Sequence, residues 1–176
     1  GITTCYYVLG GFYKTIGLYD QAIYNFKKSI SYLNKHENSD NVLFDFGIIT
    51  GTERWTNNTG VIGQFYFESG NYSEAIHYLY DAYYNRLKTG GLNNLSYLAV
   101  NIAQTKIRLN DFDSISYFLN QAIEGIEKEA SDRYHVKVYV TQVLADYQIR
   151  TGNLDSAAIL LNQCKDMIAK HQVPPN

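Results

Sequence analysis

The sequence predicts an all-α protein built from about four helical pairs. Three observations support this prediction. The 176 residues contain only two prolines, Pro174 and Pro175, and a body free of proline suits long helices. A turn pattern that ends one helix and starts the next occurs four times. After each turn, apolar residues recur at helical spacing.

The four turns begin with residue types that tolerate a positive φ. Placed in register, these residues are Gly17, Gly70, Asn110 and Gly152. Glycine and asparagine are favoured where a helix ends in the left-handed conformation. Three positions later stand polar side chains that can cap the following helix, namely Asp20, Ser73, Asp113 and Asp155. The turns therefore divide the chain into four pairs, each with a helix A before the turn and a helix B after it.

Small and large apolar residues occupy equivalent positions in the four pairs. Helix A carries a large residue followed by a small one: Leu9-Gly10, Ile62-Gly63, Ile102-Ala103 and Leu144-Ala145. Helix B carries two positions that are mostly small. The first is occupied in the four pairs by Ala22, Ala75, Ile115 and Ala157, and the second by Ser29, Ala82, Ala122 and Cys164. The large residue between them is Phe26, Leu79, Leu119 or Leu161. Helices approach closely only where a side chain is small and a bulky neighbour fills the gap.

This pattern resembles the tetratricopeptide repeat (TPR), which has L-G-x2-Y in helix A and A-x3-F in helix B. The matching residues are Tyr6, Leu9, Gly10, Tyr13, Ala22 and Phe26 in the first pair, and Ile62, Gly63, Tyr66, Ala75, Leu79 and Ala82 in the second. Pairs three and four replace the tyrosine by Lys106 and Gln148. The resemblance implies a right-handed α-α superhelix, a single TPR-like solenoid over residues 1–176, with repeats at approximately 3–36, 56–89, 96–129 and 138–171.

One repeat spacing is longer than the others. Equivalent alanine positions are separated by 53, 40 and 42 residues, whereas the resembled family repeats every 34 residues. The longest spacing predicts an inserted segment at approximately residues 38–55. Val42, Leu43, Phe46 and Ile49 recur at helical intervals, so we expect an added helical segment or a lengthened helix A, with a break at residues 57–60.

Composition excludes several classes of protein. Lys plus Arg is 15 and Asp plus Glu is 17, so a net charge of −2 gives no support for nucleic-acid binding. No apolar run reaches the roughly 18–20 residues of a membrane span, so no membrane insertion is expected. The two cysteines, Cys5 and Cys164, favour free thiols and a cytoplasmic location. The chain begins without methionine, so removal of a targeting segment leaves a periplasmic location as the alternative.

Catalytic and metal-binding motifs are missing from the sequence. Its four histidines form no His-Glu-x-x-His pair, and neither cysteine stands in a Cys-x-x-Cys spacing. No phosphate-binding glycine loop and no Gly-x-Ser-x-Gly elbow occurs. Acidic residues such as Asp111 and Asp113 lie at turns, where caps and solvated charges are expected. We therefore predict no enzyme activity, no cofactor and no metal site.

The resemblance points instead to a binding surface on the concave side, lined by the A helices. In the family, ligand contacts come mainly from outward positions of helix A. The corresponding residues here are Tyr7, Lys14, Gln64, Phe67, Asn101, Gln104, Arg108, Gln142, Asp146 and Arg150. Side-chain amides can form hydrogen bonds with a peptide backbone, and an arginine can donate two parallel hydrogen bonds to a carboxylate. The alternative is that these residues form ordinary solvated helix faces. Of the positions matching the carboxylate clamp of chaperone-binding members, only Asn101 fits, which argues against that role.

The resemblance implies a non-catalytic scaffold that binds a protein or peptide. Repeats near 40 residues resemble those of bacterial signalling proteins, so we expect the sensor or interaction region of a larger signalling protein. One alternative is a peptide-pheromone-sensing region that encloses a short peptide. Another is a structural assembly module that forms homo-oligomers through the ends of the solenoid.

Overall fold

A computed structural model describes residues 2–35, 42–44, 47–49, 51–89, 94–128 and 134–172. Within these residues the chain forms eight helices: α1 (Ile2–Thr15), α2 (Tyr19–Lys35), α3 (Gly51–Glu68), α4 (Tyr72–Lys88), α5 (Leu95–Arg108), α6 (Ile115–Lys128), α7 (Tyr134–Arg150) and α8 (Leu154–Gln172). A short hairpin of β1 (Val42–Phe44) and β2 (Gly47–Ile49) lies between α2 and α3. The predicted all-α class of four helical pairs is confirmed.

The chain divides into two compact units, Gly1–Gly90 and Gly91–Asn176. In the first unit α1 packs on α2, α3 packs on α4, and α2 contacts α3. In the second unit α5 packs on α6, α7 packs on α8, and α7 contacts both α5 and α6. Each unit therefore contains two helical pairs, and the second pair packs against the first.

The predicted helix-ending turns are confirmed at all four sites. Gly17, Gly70, Asn110 and Gly152 have φ values of +76°, +80°, +55° and +82°. The following residue donates its N–H to a carbonyl five positions back, as in Leu18 to Tyr13 at 2.9 Å. This is the Schellman arrangement, which satisfies carbonyl groups at the end of a helix.

The predicted capping residues are wrong by about two positions in three of the pairs. Asp20, Ser73 and Asp155 lie inside the first turn of α2, α4 and α8, because each of these helices starts directly after the Schellman turn. The cap of α4 is Asn71, whose Oδ1 accepts the N–H of Glu74 at 3.4 Å. The fourth predicted cap, Asp113, precedes α6, and its own N–H donates to Oδ1 of Asp111 at 3.1 Å.

Within a pair, the small position of helix A receives the large residue of helix B. A Cβ atom on Gly63 would lie 2.8 Å from Cγ of Leu79. A Cβ atom on Gly10 would lie 2.9 Å from two ring carbons of Phe26. Both distances are shorter than a normal carbon–carbon contact of about 3.5–4.0 Å. The two glycines therefore permit a close approach that any larger residue would obstruct.

The inserted segment differs from the helical expectation. Residues 42–44 and 47–49 pair as antiparallel strands, with Val42 opposite Ile49 and Phe44 opposite Gly47. Short runs rich in Val, Ile and Phe favour strands as readily as helices. The lengthened helix A is present, because α3 already begins at Gly51. Phe46, which contributed to the apparent helical spacing, lies outside the described residues.

No break occurs at residues 57–60, because α3 continues through them. Their polar side chains are instead bonded inside the first unit. Nδ2 of Asn58 donates to Oγ of Ser29 at 3.0 Å, and Ser29 donates to the carbonyl oxygen of Thr3 at 3.1 Å. Buried polar groups are tolerated in a helix when they are paired in this way. This chain of bonds links α3 to α2 and α1.

Candidate functional site

The A helices of the second unit bring polar side chains together where α7 packs on α5. The hydroxyl group of Tyr139 donates to Oδ1 of Asn101 at 2.7 Å and also contacts the side-chain amide of Gln104. A tyrosine hydroxyl carries one proton, so it can accept from the second amide once that amide turns its NH2 group towards it. The tyrosine therefore fixes the positions of two amides on the neighbouring helix.

A second polar group lies further along the same two helices. Nε of Arg150 donates to Oδ1 of Asp146 at 3.1 Å, and Nη1 of Arg108 lies 3.7 Å from Oδ2 of the same carboxylate. The three side chains are each about one-third exposed. Exposed ion pairs of this kind contribute little stability. Two guanidinium groups share one carboxylate, so the cluster carries one excess positive charge.

A cleft of about 400 Å³ opens between the start of α7 and the end of α8. The rings of Tyr134 and His171 lie 4.0 Å apart at its wall, and His135 is 6.1 Å from His171. The full lining is Tyr134, His135, Val138, Tyr139, Gln142, Ile168 and His171. Tyr139 therefore belongs both to the cleft and to the polar group between α5 and α7. We call the residues Asn101, Gln104, Arg108, Tyr139, Gln142, Asp146 and Arg150 the α5–α7 face.

The neighbouring lysine does not add to the charge of this face. Lys106 is buried, with only 7% of its side chain exposed, and it donates to Oδ2 of Asp111. This hydrogen bond holds the pKa of the Asp111 carboxyl below its usual value. The pair is neutral overall, so the excess charge of the region rests on Arg108 and Arg150.

Six of the ten residues predicted from the sequence lie on the α5–α7 face. The other four belong to the first unit, where Tyr7 packs edge-on against Phe26 at 5.9 Å. Phe67 contacts the ring of Tyr72 at 5.2 Å, and Gln64 is half-buried on α3. Nζ of Lys14 lies 5.7 Å from the ring centre of Phe65. These contacts are of the kind that packs neighbouring helices, so we centre the candidate site on the second unit.

The expectation that Asn101 is exposed is wrong. The residue is only 7% exposed, because α7 covers α5 at this point and the hydroxyl group of Tyr139 donates to its side-chain amide. Asn101 is thus suited to positioning α7 against α5, whereas its neighbour Gln104 is more accessible to solvent. Sequence reasoning missed Tyr139. Its spacing of three and seven residues from Gln142 and Asp146 marks one helical face and is the signal that identifies it.

Two further properties bear on the class of site. Among the described side chains, no group of three or more His, Cys, Asp or Glu residues is placed to hold a metal ion. None of the described helices combines the length and apolar character needed to cross a lipid bilayer.

Comparisons with known proteins agree with the repeat pattern. A family model for the tetratricopeptide repeat matches residues 3–38. Fourteen solved chains match this one. Among them is the crystal structure of BtubC (BKLC) from P. vanneervenii, with a TM-score of 0.75 and 14% sequence identity. That match covers 99% of this chain and 66% of the other, and at such low identity it shows a shared fold alone. This chain thus spans just under two thirds of the BtubC chain. No curated protein sequence matches.

Proposed function

We propose that this chain is a non-catalytic scaffold for an acidic partner, because the tetratricopeptide repeat model matches residues 3–38 and such repeats generally mediate protein–protein interactions. The ligand is an acidic peptide or an extended acidic segment of a protein. Its binding site is the α5–α7 face.

The observation that carries this proposal is the sharing of one carboxylate by two arginines. Arg108 and Arg150 both point at Asp146 and are each about one-third exposed. A guanidinium group has five N–H donors, and Asp146 cannot engage all of them on two arginines. An incoming carboxylate would find donors and an uncompensated positive charge at the same place. Charge-assisted bonds of this type are about twice as strong as neutral ones.

The rest of the face fits an extended peptide. Gln104 and Gln142 offer both a donor and an acceptor, which is what a peptide backbone requires. The neighbouring cleft of about 400 Å³ is lined mainly by aromatic and aliphatic side chains and is large enough for an apolar side chain of the ligand. The expected ligand therefore has acidic residues next to an aromatic or aliphatic one.

The two more specific functions expected from the sequence, a signalling-protein interaction region and a peptide-pheromone sensor, would both use the α5–α7 face. A sensor or interaction region of a bacterial signalling protein would bind a partner segment there. A peptide-pheromone sensor would bind a free short peptide. Both readings share the ligand chemistry and differ in whether the acidic peptide belongs to a larger protein.

The test uses two matched pools of short peptides that contain random apolar residues. One pool carries aspartate and glutamate at fixed positions, and the other carries lysine at those positions. Each pool is titrated into the isotope-labelled chain, and backbone resonances are followed by NMR. We expect the acidic pool alone to shift resonances of α5 and α7, including Gln104 and Gln142. Equal shifts from both pools, or shifts confined to the first unit, would overturn the proposal.

A further inference from the structure

Two of the four histidines meet where the first turn of α7 lies beside the last turn of α8. His135 is the second residue of α7, and His171 lies in the last turn of α8. They are 36 positions apart in the sequence. Both belong to one helical pair, because α7 packs on α8. The packing within that pair alone brings the two side chains together.

The distance between the two imidazole rings suits a shared metal ion. The ring centres of His135 and His171 lie 6.1 Å apart, and the rings are inclined at 30°. A bond from zinc to a histidine nitrogen is about 2.0–2.1 Å long, so each ring centre would lie about 3.2 Å from a bound ion. Two imidazoles on one ion then have centres about 4.5–6.4 Å apart, from a right-angled to a linear arrangement. The observed separation falls within this range.

The ring of Tyr134 supports the pair from one side. Its centre lies 4.0 Å from that of His171 and 5.2 Å from that of His135. These two distances and the 6.1 Å between the histidines form a triangle, so the tyrosine stands at a corner and leaves the space between the imidazoles open. Packing against the tyrosine restricts the rotation of both rings, which is how a binding site is held ready for its ligand.

The type of side chain decides which ions fit. Neutral imidazole is the commonest metal ligand in proteins, and it suits zinc, copper and nickel, whereas magnesium and calcium require oxygen ligands. Both histidines are exposed, and they line the cleft of about 400 Å³, which has room for water molecules on the ion. Two protein ligands completed by water also agree with the finding that no group of three or more ligating residues occurs in the described part of the chain.

We propose that His135 and His171 together bind one divalent transition-metal ion of the class Ni²⁺, Cu²⁺ and Zn²⁺, with water in its remaining positions. The ion joins the start of α7 to the end of α8 across the cleft. Neither of its ligands belongs to the α5–α7 face, so this site does not depend on the proposed acidic ligand.

The first test titrates Ni²⁺ into the isotope-labelled chain and follows the backbone resonances by NMR. Ni²⁺ is paramagnetic and broadens the resonances of residues close to it. We expect one ion per chain, and we expect the residues around His135 and His171 to lose their resonances first. Mg²⁺ at the same concentrations should change nothing, because it requires oxygen ligands.

The second test measures the affinity for Ni²⁺ by calorimetry in three folded variants, with folding verified by circular dichroism. His135→Gln and His171→Gln should each lower the affinity at least about tenfold, because a single imidazole loses the advantage of two linked ligands. The control His77→Gln, at an exposed histidine of α4 in the first unit, should bind like the wild type. Full affinity in either of the first two variants would overturn the proposal. So would the absence of saturable binding, or broadening centred on His77 or on the exposed Cys5.

Discussion

Gly63→Ala tests the packing of helix A against helix B. In an unobstructed helix interior, replacing glycine by alanine stabilises the fold by about 0.5–1 kcal/mol. At Gly63 the added Cβ would lie 2.8 Å from Cγ of Leu79 and 3.2 Å from the carbonyl oxygen of Ala75. The second contact is with backbone, so rotating a side chain does not relieve it.

The cost of the close contact is measured as the difference in unfolding free energy between Gly63→Ala and the matched variant Gly11→Ala. Overpacking of a close contact costs about 1–3 kcal/mol. Gly11 lies in the interior of α1, and a Cβ placed there meets nothing within 4 Å. Gly11→Ala should therefore stabilise the chain. Gly63→Ala should be less stable than Gly11→Ala by about 1–3 kcal/mol, and Gly63→Leu, which adds more atoms, should be less stable still.

The assay is urea unfolding followed by the fluorescence of Trp55, the single tryptophan, which lies in α3 with Gly63. Leu79→Ala should cost less stability in the Gly63→Ala background than in the wild type, because it removes the atom that the new methyl group meets. Equal stability of Gly63→Ala and Gly11→Ala would refute the packing register.

Three further predictions concern individual side chains. Asn101→Ala should lower the free energy of unfolding by about 1–3 kcal/mol, because it removes a partner of the Tyr139 hydroxyl; an unchanged urea midpoint would contradict the burial of Asn101. A thiol reagent at neutral pH should label the exposed Cys5 quickly and Cys164 slowly, because burial hides the latter and raises its pKa; equal rates by mass spectrometry would count against this. Asp111→Asn should be less stable than the wild type at neutral pH, and the gap should narrow as the pH falls below about 4. A carboxyl whose pKa is lowered on folding contributes stability above its unfolded pKa and loses it on acidification, so a gap that is constant from pH 7 to pH 2 in urea melts would exclude this contribution.

The turns and the packing positions could be predicted from the sequence because local physics determines them. A left-handed residue at Gly17 or Gly152 is a backbone requirement that few residue types meet. The contact of Gly63 with Leu79 follows from two positions that repeat in register. The capping residues were missed for a related reason. Once the Schellman turn closes, α4 restarts at Tyr72, so Ser73 is already inside it.

The remaining features depend on contacts between distant parts of the chain. Residues 42–49 carry apolar residues that suit either a helix or a strand, and the pairing of Val42 with Ile49 is visible only in the structure. Asn101 looked exposed because its own helix gives no sign that Tyr139, 38 positions later, lies over it. The six residues on α5 and α7 could be assigned to helix faces, but their partners could not. The exposed side chain of Leu161 likewise departs from its buried equivalents, since no helix in the described part of the chain packs over it.

The measurement that tests the central claim most directly is calorimetric titration of the tightest acidic peptide from the pool into four proteins. These are the wild type, the double variant Arg108→Gln/Arg150→Gln, Asp146→Asn, and the control Lys88→Gln, whose exposed cation lies on α4 in the first unit. Each charged hydrogen bond is worth about 1.5–3 kcal/mol, so loss of both arginines should weaken binding at least about tenfold. Asp146→Asn should tighten binding, because it removes the competing carboxylate, and Lys88→Gln should change nothing. Undiminished affinity in a folded Arg108→Gln/Arg150→Gln variant would contradict the assignment of the α5–α7 face as the site for an acidic partner.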